Sequence, residues 1–418
     1  MTQAPTQTAA ASRPPMLTMA EALVALMAGV RPLTATETVD TLDANGRVLA
    51  APVTSTLRVP PADNTSMDGY VMRAADVPAP GTRLPVSQRI PAGHVGTALA
   101  AGTAARIFTG GLIPPGADAV VMQEQCVAEG DAVIVNHVPA SGEWIRRAGE
   151  DIETGAEILP AGTRLTPQAL GLAASVGQAK LDVVRRVRVA VFFTGDELAM
   201  PGEPLKPGAI YNSNRYTLRG LLQALGCEVS DLGIVPDRRD ATRAALREAA
   251  RAHDLILTSG GVSVGEEDHL KPSVEAEGRL DLWQVAIKPG KPLAFGAVRR
   301  GDVPGEALFL GLPGNPVSSF VTFLIAVRPV LLALQGVPHV EPRGLALRAD
   351  FDWRRPDARR EFLRARRNPD GALELFANQS SGVLTSAVWA EGLIDNPPGR
   401  AIARGDAVRF LPFAELLS

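Results

Sequence analysis

Between residues 187 and 336 short runs of β-branched and apolar residues alternate with amphipathic helical patterns, and this alternation limits the possible folds more than any other feature of the chain. Strands are expected at 187–193, 228–234, 254–258 and 307–310, with helices near 214–225, 240–252 and 316–334. Such a repeat builds a mainly parallel sheet with helices on its faces, because parallel neighbours need a long crossover. Ligands of these sheets sit beyond the carboxyl ends of the strands, so the loops that follow the strands are where chemistry is expected.

The flanking sequence has a different texture. Between 53 and 149 Gly and Pro recur every few residues and punctuate β-type runs such as Ala105-Arg106-Ile107-Phe108 and Ala119-Val120-Val121-Met122, which predicts a β-rich inserted domain. A capping box at Thr18-Met19-Ala20-Glu21 opens a short helix to about Met27, and Thr166-Pro167 opens another that stops at Gly177. The segments carrying them, 16–52 and 150–186, are expected to form a small, discontinuous helical linking domain. Short strands return at 359–366, 373–376 and 406–410, giving a C-terminal β-barrel-like domain over 338–418. The expected class is therefore α/β multidomain, with the central α/β domain at 187–337 and residues 1–15 a disordered tail.

Charge and composition narrow the function. With 42 Lys+Arg against 45 Asp+Glu the chain lacks the basic excess that holds nucleic acid or anionic lipid, so anions must be bound locally. Cys126 and Cys227 fit neither a zinc site nor a disulfide framework. The apolar stretch 316–327 is broken by Ser318, Ser319 and Thr322 and stopped by Arg328, short of the roughly 18 residues a membrane span needs. No apolar leader opens the chain, so a cytoplasmic protein is expected.

Three loops at the strand ends carry unusual chemistry. Thr194-Gly195-Asp196-Glu197-Leu198 places two acids at the sheet edge, although a turn with an Asp cap accounts for it equally well in isolation. In the second, Ser259, Gly260, Gly261, Ser263 and Gly265 precede Glu266, Glu267 and Asp268. Its glycines let backbone N–H groups approach an anion, and its hydroxyls add donors. Gly311-Leu312-Pro313-Gly314-Asn315-Pro316 runs straight into an apolar helix, with Asn315 expected to cap it and the helix start expected to offer free N–H donors. Between the last two lies Ile287-Lys288-Pro289-Gly290-Lys291-Pro292, which holds two lysines in a fixed turn; solvated surface lysines are the alternative. Together these describe a cleft for a phosphorylated ligand. Asp196, Glu197, Asp237 and Asp268 would repel it unless a hard cation sits between, which implies Mg²⁺. Away from the sheet, 63–70 and 144–151 gather polar and charged residues that read equally well as surface turns.

In their order along the chain these segments resemble the molybdopterin molybdenumtransferases, bacterial counterparts of gephyrin's C-terminal domain. The likeness rests on the 63–70 run, Ile107-Phe108-Thr109-Gly110, Val121-Met122-Gln123-Glu124, residues 145–152, Phe193-Thr194-Gly195-Asp196-Glu197 and the three loops above. It implies molybdenum insertion: molybdate and adenylylated molybdopterin are converted to molybdenum cofactor with release of AMP and a divalent cation, in a cytoplasmic homodimer with its cleft near the subunit interface. It further implies that a molybdopterin adenylyltransferase donates the substrate. Carried onto this sequence, the resemblance assigns functional acids to Asp68, Asp151, Glu197, Asp237 and Asp268, places Thr109 and Arg146 with them, and gives Glu197, Asp237 and Asp268 to the metal. It sets Lys288, Lys291, Arg364 and Ser381 around molybdate or the ligand phosphates. Gln284, His269 and Ala148 depart from the family pattern. With five histidines and no Cys/His or Ser/His pair, catalysis is expected from positioning and charge neutralisation rather than a protein nucleophile. Rival readings are an adenylyltransferase, which is commonly a single small domain, and a non-catalytic gephyrin-like scaffold.

Overall fold

A computed structural model of the chain describes residues 16–262, 269–301 and 303–417. Those within Met1–Glu37, Gly46–Ala50 and Val183–Ser418 form one compact unit, and those within Thr38–Asn45 and Ala51–Asp182 form a second.

The first unit is built on a sheet with the strand order Glu228–Ile234, Arg188–Phe193, Leu255–Ser259, Glu306–Leu312, Pro292–Arg299, Gly278–Gln284. The first four strands are parallel, and the last two run antiparallel to their neighbours. The sequence located the parallel strands to within two residues and missed the antiparallel pair. Antiparallel neighbours need no helical crossover, so they leave no alternation to read. Both sheet faces are covered. Val189, Val191 and Phe193 pack with Leu218, Leu221 and Leu222 of the helix Ser213–Ala224. Ala190 and Phe192 pack on the other side with Leu246, Ala249 and Ala250 of the helix Arg239–Ala252. A strand buried on two faces reads as a continuous apolar run rather than as alternation. The helix Met19–Ala28 joins the first cluster through Met19, Ala22 and Leu26, and its capping box forms as expected.

The helix after Pro316 corrects one expectation. Pro316–Thr322, the π-helical turn Phe323–Val327 and Arg328–Leu334 run on as 19 helical residues, long and apolar enough to cross a membrane by length and composition. Burial settles its role, since 94% of its most apolar window lies inside the fold as a core helix. The helix reaches Leu334 as expected, but Arg328 does not end its apolar stretch, because the buried guanidinium donates to Val340 O at 2.9 Å and Glu415 O at 3.1 Å.

A second sheet in this unit takes the order Ile287–Lys288, Arg360–Arg367, Gly392–Asn396, Ala407–Pro412, Leu345–Arg348. Its first strand comes from the lysine turn and pairs in parallel, Lys288 opposite Glu361. The C-terminal sheet thus holds a piece of the α/β region in register.

The second unit carries a mixed sheet ordered Ala119–Met122, Gly69–Met72, Ala104–Ile107, Thr82–Ile90, Ala132–Val135, Cys126–Glu129. Gly69 is required here, since a Cβ would lie 2.0 Å from Val121 O on the paired strand. Asn64–Thr65 pairs with Ile145–Arg146, and Thr166 caps the helix Pro167–Ser175. Burial pushes the Cys126 thiol up to about 11, which leaves it protonated and inert near neutral pH. An α/β core with β-rich parts matches the general class expected.

Candidate functional site

The carboxyl ends of the parallel strands open onto one cleft of about 860 Å³ in the first unit. Thr194, Gly195 and Glu197 follow the strand Arg188–Phe193, and Asp237 follows Glu228–Ile234. Ser259, Gly260 and Gly261 end the central strand Leu255–Ser259, and Pro313, Gly314 and Asn315 follow Glu306–Leu312. Lys288, Lys291 and Ser381 complete the lining.

These loops touch because glycine lets them. Gly260 has φ +95°, and a Cβ there would come 2.5 Å from Thr194 O; its N–H donates to Leu312 O at 3.1 Å. Gly314 lies against Gly260, its ideal Cβ 3.9 Å from the Gly260 Cα. Ser259 Oγ donates to Pro313 O at 2.9 Å. Asn214 Nδ2 donates both to Ser259 Oγ at 2.9 Å and to Gly314 O at 2.8 Å, so one amide stitches two glycine loops together. Gly290 presses on the apolar helix, where a Cβ would meet Thr322 Oγ1 at 2.6 Å.

Charge is distributed unequally around the cleft. Lys288 Nζ lies 3.5 Å from Asp357 and 3.4 Å from Glu361. Arg359, also in the lining, forks onto Asp357 with both distances at 2.9 Å. This fork, with Lys288 adding to it, holds the Asp357 carboxyl well below its usual range. Lys291 has no carboxylate within 4.0 Å among the described residues, so its charge is available to a ligand.

Two expectations are corrected. Arg364 does not line the cleft: it is 1% exposed, and donates to Phe362 O at 3.0 Å and Ser386 Oγ at 3.2 Å. Burial without a carboxylate partner among the described residues lowers its pKa to about 10, so a cation remains in the interior. Its backbone exchanges hydrogen bonds with the Gln379 amide, fixing the segment that presents Ser380 and Ser381. Asn315, for its part, occupies the N-cap without a side-chain cap bond; its carbonyl accepts from Ser319 N at 2.9 Å. The helix start is not wholly free either, because Val317 N donates to Ser381 O at 3.0 Å. Ser263, Gly265 and Asp268 lie outside the described residues. Among the described residues no three His, Cys, Asp or Glu side chains cluster as a metal site, while Glu197 and Asp237 both face the cleft.

Asp68, Thr109, Arg146 and Asp151 belong to the second unit. Asp68 Oδ1 accepts from Thr109 N at 2.7 Å and Thr109 Oγ1 at 2.8 Å, which lowers its pKa and leaves Oδ2 without a hydrogen bond among the described residues. Ser66 N and Oγ donate to Trp144 O, and Asn64 pairs with Arg146, so the segments bearing Asp68 and Arg146 are joined. Trp144 has φ +56°, an uncommon conformation for a bulky residue. Arg147 is committed to Asp63 at 2.7 Å, whereas Arg146 and Asp151 are exposed. At Ala148 the backbone serves instead of a side chain, its N–H donating to Asp63 Oδ1 at 2.8 Å.

Sequence reasoning missed Asn214, Arg359 and Gln379. The first stands in Tyr211-Asn212-Ser213-Asn214, where Asn212 supplies the helix cap and so accounts for one asparagine but not the other.

Most of the chain is similar to known proteins. Residues 17–177 match the MoeA N-terminal region (domain I and II), 190–333 a probable molybdopterin binding domain, and 346–413 the MoeA C-terminal region (domain IV). A molybdopterin molybdenumtransferase of Haemophilus influenzae is 37% identical over 409 residues, covering 96% of this chain and 100% of that protein. One from a Nostoc species is 41% identical over 72% of this chain and 70% of its own length. The crystal structure of the molybdopterin biosynthesis moeA protein from Pyrococcus horikoshii OT3 superposes with a TM-score of 0.82 at 29% identity, covering 95% of this chain and 100% of that one. The chain accordingly belongs to the molybdopterin molybdenumtransferase family and is a transferase.

Proposed function

We propose that the protein inserts molybdenum into adenylylated molybdopterin, taking molybdate as the metal source and releasing AMP. What carries the reading is the convergence of Gly260, Gly314, Lys288, Lys291, Glu197 and Asp237 in one cleft at the sheet's carboxyl edge. Gly260 and Gly314 leave room for a phosphate to approach backbone, and Lys291 meets its charge. Ser381 and the wall fixed by Arg364 offer a hydroxyl backed by a buried cation, a setting suited to a molybdate dianion.

The carboxylates of Glu197 and Asp237 are hard oxygen donors of the kind Mg²⁺ takes, and Mg²⁺ commonly completes its shell with water and substrate phosphate. When bound there it would offset phosphate charge beside two acids. The chain's own residues orient the ligand: Asn214 fixes the two glycine loops, and Lys288 and Lys291 flank the anion. Attack by water on the adenylyl phosphorus breaks the phosphoanhydride and frees AMP, leaving the pterin phosphate; attack by a molybdate oxygen breaks the same bond but gives adenylyl molybdate, from which AMP leaves when water hydrolyses that mixed anhydride. The dithiolene sulfurs then take the metal, their two protons leaving with one molybdate oxygen as water. Asp68, Thr109, Arg146 and Asp151 are read as further functional groups, the protein as a homodimer of the four-part layout set out above, and an adenylyltransferase as the substrate donor.

The test is AMP release from adenylylated molybdopterin with and without molybdate and Mg²⁺. Release that depends on both supports the reading. Synthesis of adenylylated molybdopterin from ATP, or no turnover at all, overturns it.

A further inference from the structure

Arg106 sits on the strand Ala104–Ile107, opposite Tyr70, with its guanidinium 5.2 Å above the tyrosine ring. Three acceptors take its protons. Nη1 donates to Gly69 O at 2.7 Å and Ile107 O at 3.1 Å, and Nη2 donates to Gln123 Oε1 at 2.6 Å. Gly69 directly follows Asp68, and Ile107 lies two residues before Thr109. Gln123 closes the loop a second way, since its backbone N–H donates to Asp68 O at 3.0 Å. Phe108, between Ile107 and Thr109, takes two guanidinium groups over its ring, those of Arg106 and Arg89, each 4.5 Å from its centre.

We propose that Arg106 is a positioning residue for the Asp68–Thr109 pair: one planar fork ties the backbone beside the acid to the backbone beside the hydroxyl, with Gln123 as its anchor and Phe108 as its cover. The inference rests on the reading of Asp68 as a functional acid. A lysine could supply the charge but not the fork, because an ammonium has no plane to stack on Phe108 while reaching three separated acceptors. The role also accounts for two sequence segments that the cleft leaves unexplained, Ile107-Phe108-Thr109-Gly110 and Val121-Met122-Gln123-Glu124. Gln123 Nε2 donates to Glu124 Oε1 at 3.2 Å, which fixes the amide so that its oxygen faces the arginine.

A double-mutant cycle in the full chain tests this, using molybdate-dependent AMP release from adenylylated molybdopterin. Arg106→Gln is expected to lower kcat by roughly 10- to 100-fold with KM changed by no more than about 3-fold, as for a small misplacement of a reacting group. Added to Asp68→Asn, it is expected to change kcat by less than about 2-fold, because the pair it positions has already been lost. An undiminished effect in the Asp68→Asn background assigns Arg106 to general stability and overturns the proposal, as does wild-type kcat in Arg106→Gln. Wild-type activity in Asp68→Asn overturns the reading of Asp68 itself. Gln123→Leu removes only one acceptor and is read by the same cycle should Arg106→Gln fail to fold; wild-type kcat there likewise overturns the proposal.

Discussion

Lys288 Nζ lies 3.4 Å from Oε1 of Glu361, a carboxylate whose side chain is 0% exposed. The same acid accepts from Trp353 Nε1 at 2.8 Å and Asn396 Nδ2 at 3.3 Å, so it anchors the lysine to the C-terminal sheet. The two lysines of the turn therefore differ in kind. Lys288→Ala should weaken molybdate binding and destabilise the protein by about 1–2 kcal/mol, toward the low end because Lys288 is 40% exposed. Lys291→Ala should raise KM for molybdate and leave the melting temperature in place. Equal thermal shifts in the two variants would contradict this division.

The two glycine loops make a contrasting pair. Gly260→Ala forces a side chain into φ +95° and against Thr194 O, and is expected to cost about 1–3 kcal/mol of stability along with ligand binding. Gly314→Ala meets nothing nearer than 3.9 Å, so its melting temperature should stay within about a degree of wild type while AMP release falls, since the methyl group enters ligand space. Thermal melts beside steady-state rates separate the outcomes.

How far the site could be read from sequence follows from the kind of signal each residue leaves. Glu197, Gly260 and Gly314 were legible because parallel strands announce themselves and ligands gather at their carboxyl ends. Arg364 was placed around the ligand by the resemblance alone, and no local pattern shows that it backs the wall rather than lines it: it lies on a strand with both faces covered, where periodicity does not tell inside from outside. Asn214 left no local trace, since its two partners lie 45 and 100 residues away in sequence. Arg106 was hidden for a similar reason, one guanidinium serving carbonyls on separate strands.

Glu197→Gln and Asp237→Asn should each raise the Mg²⁺ concentration that gives half-maximal AMP release by roughly 10-fold or more, without altering the fold, because each removes one hard donor from the cleft rim. Mg²⁺ titration with circular dichroism as a control measures it. An unchanged requirement in both variants would remove these acids from the metal's shell.

Acid stability should report on Asp254, which precedes the strand Leu255–Ser259 at the end away from the cleft. Burial alone would raise its pKa, but paired hydrogen bonds from Arg185 at 2.7 and 2.8 Å and one from Arg188 N at 2.9 Å outweigh it and hold the group below its usual value. A depressed carboxylate stabilises the fold above its unfolded pKa, near 4, and that contribution disappears as pH falls through the folded value. Asp254→Asn should therefore cost about 1–3 kcal/mol at pH 7 and progressively less below pH 4, read from urea melts across that range.

The pairing of Ile287–Lys288 with Arg360–Arg367 also bears on how such a chain can be cut or recombined. A truncation placed after the core helix at Leu334 would follow a visible seam in the sequence, yet it would strip the lysine turn of its only ladder partner among the described residues and of Glu361. The layer that carries the cleft is thus not a transplantable module. Its lysine turn is held by residues encoded more than seventy positions downstream, and a chimera that exchanges the C-terminal sheet must carry the acid that faces Lys288 along with it.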